Sequence, residues 1–336
     1  MSLFISNFRR EAKPLAAIIA IALLCEGGVR LVRPLLSLDI LNIRRIPLIA
    51  QTLGRSPGPR LLFLGNSLTR QGVDLDLVRH LFRRNRFSVV CDKVYADDTT
   101  IPDWYYAFER YFEGSNAPDY LVLGYVLNQL SDSSTVHPER IAAYFGGWRA
   151  AGEVFTHDLP ALDDRMEYAL ASTLAMFSER ERIRNRALSL LIPGYQASAQ
   201  RLNQFEAAGR PSVGGPYVRL ERLLKLCSAR RVRMAVIAMP LPDLYEIDRA
   251  LVAVLESHSA LFLDMRNVPG VSRDSFPDGY HLGPPGAAVY SRQLVLKLGR
   301  ELPLAAQTSD LSSRINRDSA AEARERPMAL RATKSD

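Results

Sequence analysis

The chain has 336 residues, of which 47% are hydrophobic and 24% are charged. This length allows one large domain or two modest ones, and the apolar content is enough for a substantial core. The three cysteines, Cys25, Cys91 and Cys227, exclude a disulfide framework, and no group of cysteine and histidine has metal-ligand spacing. We therefore expect inert, packed thiols and no metal or other cofactor.

The net charge of +7 is concentrated near the N-terminus. Residues 1–45 carry seven Lys or Arg against three Asp or Glu, a net +4, and residues 305–336 carry six against five, a net +1. The remaining +2 belongs to the whole middle of the chain. Because the basic excess flanks an apolar segment, it is no signature of nucleic-acid binding.

An uninterrupted apolar run, Pro14–Cys25, follows the basic segment 9–13. Its twelve residues are few for a membrane span, but apolar character resumes as far as Leu36. No small-x-small cleavage site follows, which favours an uncleaved anchor over residues 14–36; a cleaved signal and an interfacial helix are the alternatives. The positive flank predicts a cytoplasmic N-terminus, residues 1–13, with the rest of the chain outside the membrane.

Residues 37–57 are a predicted linker, and alternating strand and helix patterns fill the predicted domain 58–304. Strands that alternate with helices predict an α/β fold, in which a mostly parallel five-stranded sheet is covered on both faces in a three-layer, doubly wound sandwich. The strand-like runs are Arg60–Leu64, Ser88–Val94, Asp119–Leu123, Arg233–Ala238 and Ala260–Leu263. The helical patterns between and after them are Val73–Arg84, Ile101–Phe112, Val218–Ala229, Pro242–Ser257 and Gly283–Leu302.

Residues 135–216 break this alternation. They contain the helical patterns Leu162–Phe177 and Ser178–Leu191 and no convincing strand. We therefore predict a helical insertion between the third and fourth strands, which is either a lid over the site or extra packing. The polar tail, residues 305–336, is predicted to be disordered.

The first predicted strand runs directly into Gly65-Asn66-Ser67, which places a serine hydroxyl at the carboxyl end of a buried strand. Ligands bind at such ends in open α/β sheets. More than two hundred residues later, Asp278 and His281 lie three residues apart before the C-terminal helix. Because a serine is a weak nucleophile until a base takes its proton, Ser67, His281 and Asp278 are the candidate nucleophile, base and orienting carboxylate. The rigid loop Ala238–Pro242 either shapes a substrate pocket at the same edge or is an ordinary turn.

Gly65-Asn66-Ser67-Leu68 and Asp278-x-x-His281 resemble the first and last sequence blocks of the SGNH hydrolases, also called the GDSL family, with Asn66 in place of the usual aspartate. The likeness covers roughly residues 60–302. It implies a flavodoxin-like sheet and an oxyanion hole built from the backbone N–H of Ser67, a glycine of the second block and an asparagine of the third. The sequence departs from this pattern, because residues 95–100 contain no glycine and the candidate asparagine, Asn128, is displaced by two positions.

The resemblance implies ester hydrolysis or O-acyl transfer through an acyl-serine, by a domain held outside the cytoplasmic membrane by an N-terminal anchor. It also implies a cell-envelope polysaccharide or another acyl ester as substrate, and a membrane-bound O-acyltransferase as partner. The alternative is a non-catalytic assembly or binding subunit of an envelope-polymer system, which the missing second-block glycine favours. The intact Ser67, Asp278 and His281 favour the enzyme.

Overall fold

The computed structural model describes residues 2–85, 87–195, 198 and 214–304, with side chains from Lys13 onward. Its contacts divide the chain into two units. We call Leu48–Ile101, Phe112–Ser134 and Pro211–Asp336 the sheet unit. The helical unit is Met1–Pro47, Pro102–Tyr111 and Thr135–Arg210. The tail predicted to be disordered, residues 305–336, lies outside the described residues.

Two helices, α1 (Ser2–Leu36) and α2 (Leu38–Arg55), occupy the N-terminal region. Within α1, Lys13–Leu36 is long and apolar enough to cross a membrane, with a mean hydropathy of 2.1. The segment predicted as a linker, 37–57, is instead mostly helical. Its apolar residues recur every three or four positions, which is the spacing of one helix face. The residues buried on that face are Ile40, Ile43, Ile46, Ala50 and Leu53.

One parallel sheet forms the centre of the sheet unit, with strand order β2-β1-β3-β4-β5. The predicted α/β fold with a five-stranded sheet is confirmed, and each strand lies within two residues of its predicted run. The strands are β1 (Arg60–Gly65), β2 (Val90–Tyr95), β3 (Tyr120–Tyr125), β4 (Arg233–Ala238) and β5 (Leu261–Asp264).

The central strands β1, β3 and β4 are buried along almost their whole length. Because successive side chains of a strand point to opposite faces, this burial means that both faces of the sheet are covered. All strands run in one direction, so their carboxyl ends share one edge. At that edge, β2 and β3 flank β1 on opposite sides. The end of β1 is therefore the switch point at which open α/β sheets bind ligands.

The described part of 135–216 contains helices and no strand, in agreement with the predicted insertion between β3 and β4. Short 3₁₀ turns (Gly114–Asn116, Gly147–Ala150 and Arg273–Ser275) and a π-helical turn (Ile141–Phe145) accompany the α-helices. The α-helices after α2 are α3 (Ser67–Gly72), α4 (Leu75–Arg84), α5 (Ile101–Tyr111), α6 (Pro138–Arg140), α7 (Ala151–His157), α8 (Leu162–Thr173), α9 (Ala175–Ser178), α10 (Arg180–Leu191), α11 (Val218–Ala229), α12 (Arg249–Ser257) and α13 (Pro284–Glu301).

Two predicted helices have different bounds. The pattern Pro242–Ser257 becomes helical only at Arg249, where the Asp248 side chain accepts a hydrogen bond from the N–H of Ala250 and caps the first turn. The pattern Leu162–Phe177 is two helices, because Leu174 adopts an extended backbone conformation (φ −111°, ψ 114°) that ends α8 before α9 begins.

Candidate active site

Ser67 is the first residue of α3 and comes two residues after the end of β1. Asn66 stands between them in an extended conformation and caps the helix, because its Oδ1 accepts a hydrogen bond from the N–H of Leu68 at 3.0 Å. The strand, the tight turn and the cap therefore place Ser67 at the carboxyl edge of the sheet, as the sequence predicted.

The amide of Asn66 also holds a second loop. Its Nδ2 donates to the carbonyl of Thr99 at 3.2 Å, and the Thr99 hydroxyl donates to the carbonyl of Ala96 at 2.8 Å. From the sequence, Asn66 was only a replacement for the usual aspartate, and its link to Thr99 was missed. A carboxylate offers acceptors alone, whereas a carboxamide both accepts from α3 and donates to the loop after β2.

We expect Asn66→Asp to lower the free energy of unfolding by about 1–3 kcal/mol, because the Thr99 carbonyl would lose its donor and face a carboxylate in a buried site. Chemical denaturation measures the effect. Asn128→Asp is the matched control, since it makes the same charge change in a half-buried turn. Equal stability of the two variants would show that the second hydrogen bond of Asn66 is dispensable.

Two glycines allow α3 to lie close against the sheet. Thr69, on the first turn of α3, is buried between Gly65 of β1 and Gly124 of β3, and its hydroxyl donates to the sulfur of Met239 at 3.6 Å. A Cβ at Gly124 would lie 2.8 Å from the Thr69 hydroxyl and 2.6 Å from the Met239 sulfur. The rigid loop after β4 therefore contributes Met239 as packing beneath the helix that carries Ser67.

Gly65→Ala should push α3 away from the sheet, because the added Cβ would overlap the Thr69 hydroxyl and lie 2.8 Å from the Thr69 Cβ. We expect a loss of about 1–3 kcal/mol of stability, typical of overpacking. Thermal denaturation measures the effect. Gly152→Ala is the control, since nothing lies within 4 Å of its added Cβ. Gly65→Ala behaving like this control would contradict the packing account.

Lys93 of β2 holds the other end of α3. Its Nζ donates to the carbonyls of Arg70 and Val73 at 2.8 and 2.7 Å, where the helix ends. A cation at a helix C-terminus also complements the helix dipole. Burial lowers the pKa of the Lys93 amine to about 8. A single lysine in a predicted strand carries no sequence signal for this role.

Asp278 and His281 lie in the loop before α13. Asp278 Oδ1 accepts hydrogen bonds from the N–H groups of Tyr280 and His281 at 2.9 and 2.7 Å, which folds the loop into a tight turn. The Tyr280 ring packs edge-on against the imidazole, with ring centroids 5.0 Å apart. The turn and the ring contact fix the orientation of His281.

The imidazole bridges the other two candidates. His281 Nε2 lies 2.9 Å from Ser67 Oγ, and His281 Nδ1 lies 2.8 Å from Asp278 Oδ2. A carboxylate can only accept, so Nδ1–H donates to Asp278, which leaves Nε2 to accept the hydroxyl proton of Ser67. The three side chains form a continuous, hydrogen-bonded Ser–His–Asp triad. It joins residues 214 positions apart in the sequence, in the order and pairing that the two motifs predicted.

The electrostatics of Asp278 suit an orienting carboxylate. Partial burial pushes its pKa upward, but hydrogen bonds from the His281 backbone, the His281 ring and the Tyr280 backbone outweigh that effect, so the pKa lies below its ordinary value. Asp278 is therefore ionised at neutral pH and can stabilise an imidazolium on His281. The His281 side chain is 17% exposed and is therefore largely shielded from water.

The loops after β2 and β3, where oxyanion donors are expected, differ in sequence from the SGNH pattern. Each contains a residue other than glycine with a positive φ angle. In the loop after β2, which lacks glycine, Asp98 adopts φ 57°, a left-handed conformation that glycine favours. In the loop after β3, Leu127 adopts φ 52°. Its neighbour Asn128 lies in a turn, where its carbonyl accepts from the N–H of Ser131 at 2.9 Å. The role of Asn128 as an oxyanion donor stays a prediction.

No protein-family model matches the chain, and no curated protein matches it. Solved structures that resemble it include Axe2, an acetylxylan esterase from Geobacillus stearothermophilus, with 12% identity and a TM-score of 0.37 over 74% of this chain and 97% of that one. A variant of Axe2, described as an acetyl-xylooligosaccharide esterase, has 13% identity and a TM-score of 0.39 over 74% and 98% of the two chains. At these TM-scores the similarity carries no argument about function, and the candidate site rests on its own geometry.

Proposed function

We propose that the protein is a serine-dependent ester hydrolase or O-acyltransferase that works through an acyl-serine. The observation that supports this proposal is the continuous pair of hydrogen bonds from Ser67 Oγ to His281 Nε2 and from His281 Nδ1 to Asp278. A serine, an imidazole and an ionised carboxylate in this arrangement are what nucleophilic acyl transfer requires, and they lie at the switch point of the sheet.

In the proposed reaction, His281 carries the proton in both directions. His281 Nε2 takes the hydroxyl proton of Ser67 as Oγ bonds to the carbonyl carbon of the ester. The tetrahedral intermediate then collapses, its bond to the alcohol oxygen breaks, and His281 returns the proton to the departing alcohol. Water or an acceptor hydroxyl next attacks the acyl carbon while His281 takes its proton. The bond from that carbon to Ser67 Oγ then breaks, His281 returns the proton to Oγ, and the acyl group leaves on the attacking oxygen. The Ser67 N–H, at the start of α3, is the proposed first donor to the oxyanion, and Asn128 the proposed second.

The proposed substrate is an acylated cell-envelope polysaccharide or a related polymer. The proposal combines the SGNH-like motifs around Ser67 and His281 with the apolar helix Lys13–Leu36, which is suited to hold the chain at a membrane. Transfer instead of hydrolysis requires an acyl donor, and a membrane-bound O-acyltransferase is the proposed partner that supplies it.

The test of the proposal is reactivity of the folded, full-length protein. A fluorophosphonate probe should label it covalently, and small acetyl esters should be turned over.

A second candidate, a non-catalytic assembly or binding subunit, is favoured by the absence of glycine from the loop after β2. A folded protein that resists the probe and turns over no ester would support this second candidate and refute the first.

We also propose that α1 is a retained anchor, with the chain after it outside the cytoplasmic membrane. The basic residues Arg9, Arg10 and Lys13 precede the apolar run, as the positive-inside rule requires for this orientation. An alkaline phosphatase fused after Leu304 should be active, and the mature protein should still begin before Pro14. An inactive fusion would mean that the orientation is the reverse of the proposed one. A mature N-terminus near Gly27 would show that the helix is cleaved.

A further inference from the structure

Three charged residues interrupt the apolar helix Lys13–Leu36. Glu26, Arg30 and Arg33 lie in its second half, and a charged side chain is costly in hydrocarbon unless it is paired. Ending the span at Cys25 would avoid them, but the thirteen residues Lys13–Cys25 rise only about 20 Å, short of a hydrocarbon core of about 30 Å. The full 24 residues rise about 36 Å, which is sufficient.

The structure pairs the first two of these charges with the insertion. The carboxylate of Glu26 accepts from the backbone N–H groups of Ala175 and Met176 at 2.7 and 2.9 Å, at the start of α9. Arg30 donates to Glu26 at 2.7 Å and to the carbonyl of Thr173 at 2.9 Å. Glu26 therefore satisfies two helix-terminal N–H groups that would otherwise need water.

The third charge, Arg33, belongs to a buried cluster. Its Nε donates to the fully buried carboxylate of Glu179 at 2.7 Å, and its guanidinium lies 4.3 Å from the centre of the Tyr144 ring. The Tyr144 hydroxyl donates to Glu179 at 2.6 Å. Arg182 donates to Glu179 at 3.0 Å and to Asp39 at 3.1 Å.

The charges of these groups sum to zero. Three arginines (Arg30, Arg33 and Arg182) face three carboxylates (Glu26, Asp39 and Glu179). Ionisable residues inside membranes are tolerated when they face protein and pair with one another. All six side chains are paired, and five of them face protein, whereas the Arg30 side chain is 61% exposed. Cleavage near Gly27 would remove Glu26, which would leave Arg30 without its carboxylate partner and α9 without its cap, while Arg33 would stay in the chain.

Several apolar side chains near the charged cluster are exposed. On α1, Leu31 and Leu35 are 83% and 76% exposed. Next to the Glu26 contacts, Leu170, Leu174 and Met176 of the insertion are 40–45% exposed. Both sets belong to the helical unit, and an apolar face of this kind continues the exposed apolar surface of the membrane helix.

We propose that α8 and α9 contact the lipid bilayer beside α1, with Leu170, Leu174 and Met176 against lipid and the buried Glu179, with Arg33 and Arg182, turned toward protein. The occupant of this face is the bilayer that α1 enters, so the inference rests on the proposed anchor. The insertion would then serve neither as a lid nor as simple packing but as a membrane-embedded support for the charged half of α1.

A fluorescent label tests this contact in the full chain. In a Cys25→Ser background, Met176→Cys carries an environment-sensitive NBD label, and Glu256→Cys, on exposed α12, is the control; Cys91 and Cys227 are buried. In phosphatidylcholine–phosphatidylglycerol liposomes, NBD at position 176 should emit at a shorter wavelength than NBD at position 256. It should also lose most of its emission when the liposomes include lipids that carry a doxyl group near the head of the acyl chain. NBD at 256 should keep its emission.

A carbonate wash separates failure of the lipid contact from failure of the anchor. If the protein stays in the liposomes but the label at 176 is no better quenched than at 256, the anchor stands and the lipid contact is refuted. A blue-shifted but unquenched label at 176 also refutes it, because protein, such as a second copy of the chain, then covers the face. If the full chain washes off, the anchor and this inference fall together.

Discussion

Ser67→Ala should abolish covalent labelling by a fluorophosphonate and reduce ester turnover about a million-fold, the loss expected when a serine hydrolase loses its nucleophile. The probe phosphorus bonds to an activated serine oxygen, and Ser67 Oγ lies 2.9 Å from the base that activates it. Alanine removes that oxygen without adding bulk. The change also spares the helix cap, which is supplied by Asn66.

Ser257→Ala is the matched control, since Ser257 is exposed at the end of α12, its hydroxyl donates to the carbonyl of Val254, and the same oxygen lies 3.1 Å from His258 Nδ1. It should keep full labelling and turnover. Peptide mapping of the labelled wild type should place the adduct on the peptide that contains Ser67. Undiminished labelling of a folded Ser67→Ala protein would place the reactive serine elsewhere and refute the proposed site.

Sequence signals were sufficient for the sheet and for the triad because those signals are local. Each strand is a short apolar run bounded by turn residues, so its position can be read without knowing its neighbours. Asp278-x-x-His281 brings two triad members together within one turn. A parallel sheet then brings the carboxyl end of β1, and with it Ser67, to the edge where such loops lie.

The supports of the site were missed because they are long-range. The hydrogen bond from Asn66 to Thr99 joins residues 33 positions apart, and the contact of Thr69 with Met239 joins residues 170 apart. In the sequence, Gly65 looks like an ordinary turn residue. Its packing role becomes visible only when the residue that occupies the space beside it is known. Tertiary packing, which one sequence does not display, determines these contacts.

The N-terminal region shows a different limit. Helix α2 was taken for a linker, although Ile40, Ile43 and Ile46 have helical spacing and are buried. The anchor was predicted over residues 14–36 although Glu26, Arg30 and Arg33 lie within it, and the sequence showed no partners for these charges. Their partners in the insertion, such as Glu179, are about 150 residues away, and only the folded chain shows that the charges are paired.

His281→Ala should match Ser67→Ala in severity, whereas Asp278→Ala should be distinctly milder. Without His281 no base accepts the serine proton, and serine hydrolases then lose about a million-fold in turnover. Asp278 only orients and stabilises the base, so its loss should reduce turnover about ten-thousand-fold. Asp278→Asn should fall in the same range, because an amide N–H facing Nδ1 favours the tautomer whose Nε2 carries the proton and cannot accept one from Ser67.

The double variant Ser67→Ala/His281→Ala decides whether the residues act as one unit. Its turnover should equal that of either single variant, since the second change removes a partner that has nothing left to act on. The measurement is turnover of a small acyl ester by the single and double variants, with circular dichroism to show that each is folded. Near-normal turnover by a folded His281→Ala protein would mean that the base lies elsewhere. The observed distance of 2.9 Å between His281 Nε2 and Ser67 Oγ would then have no catalytic meaning.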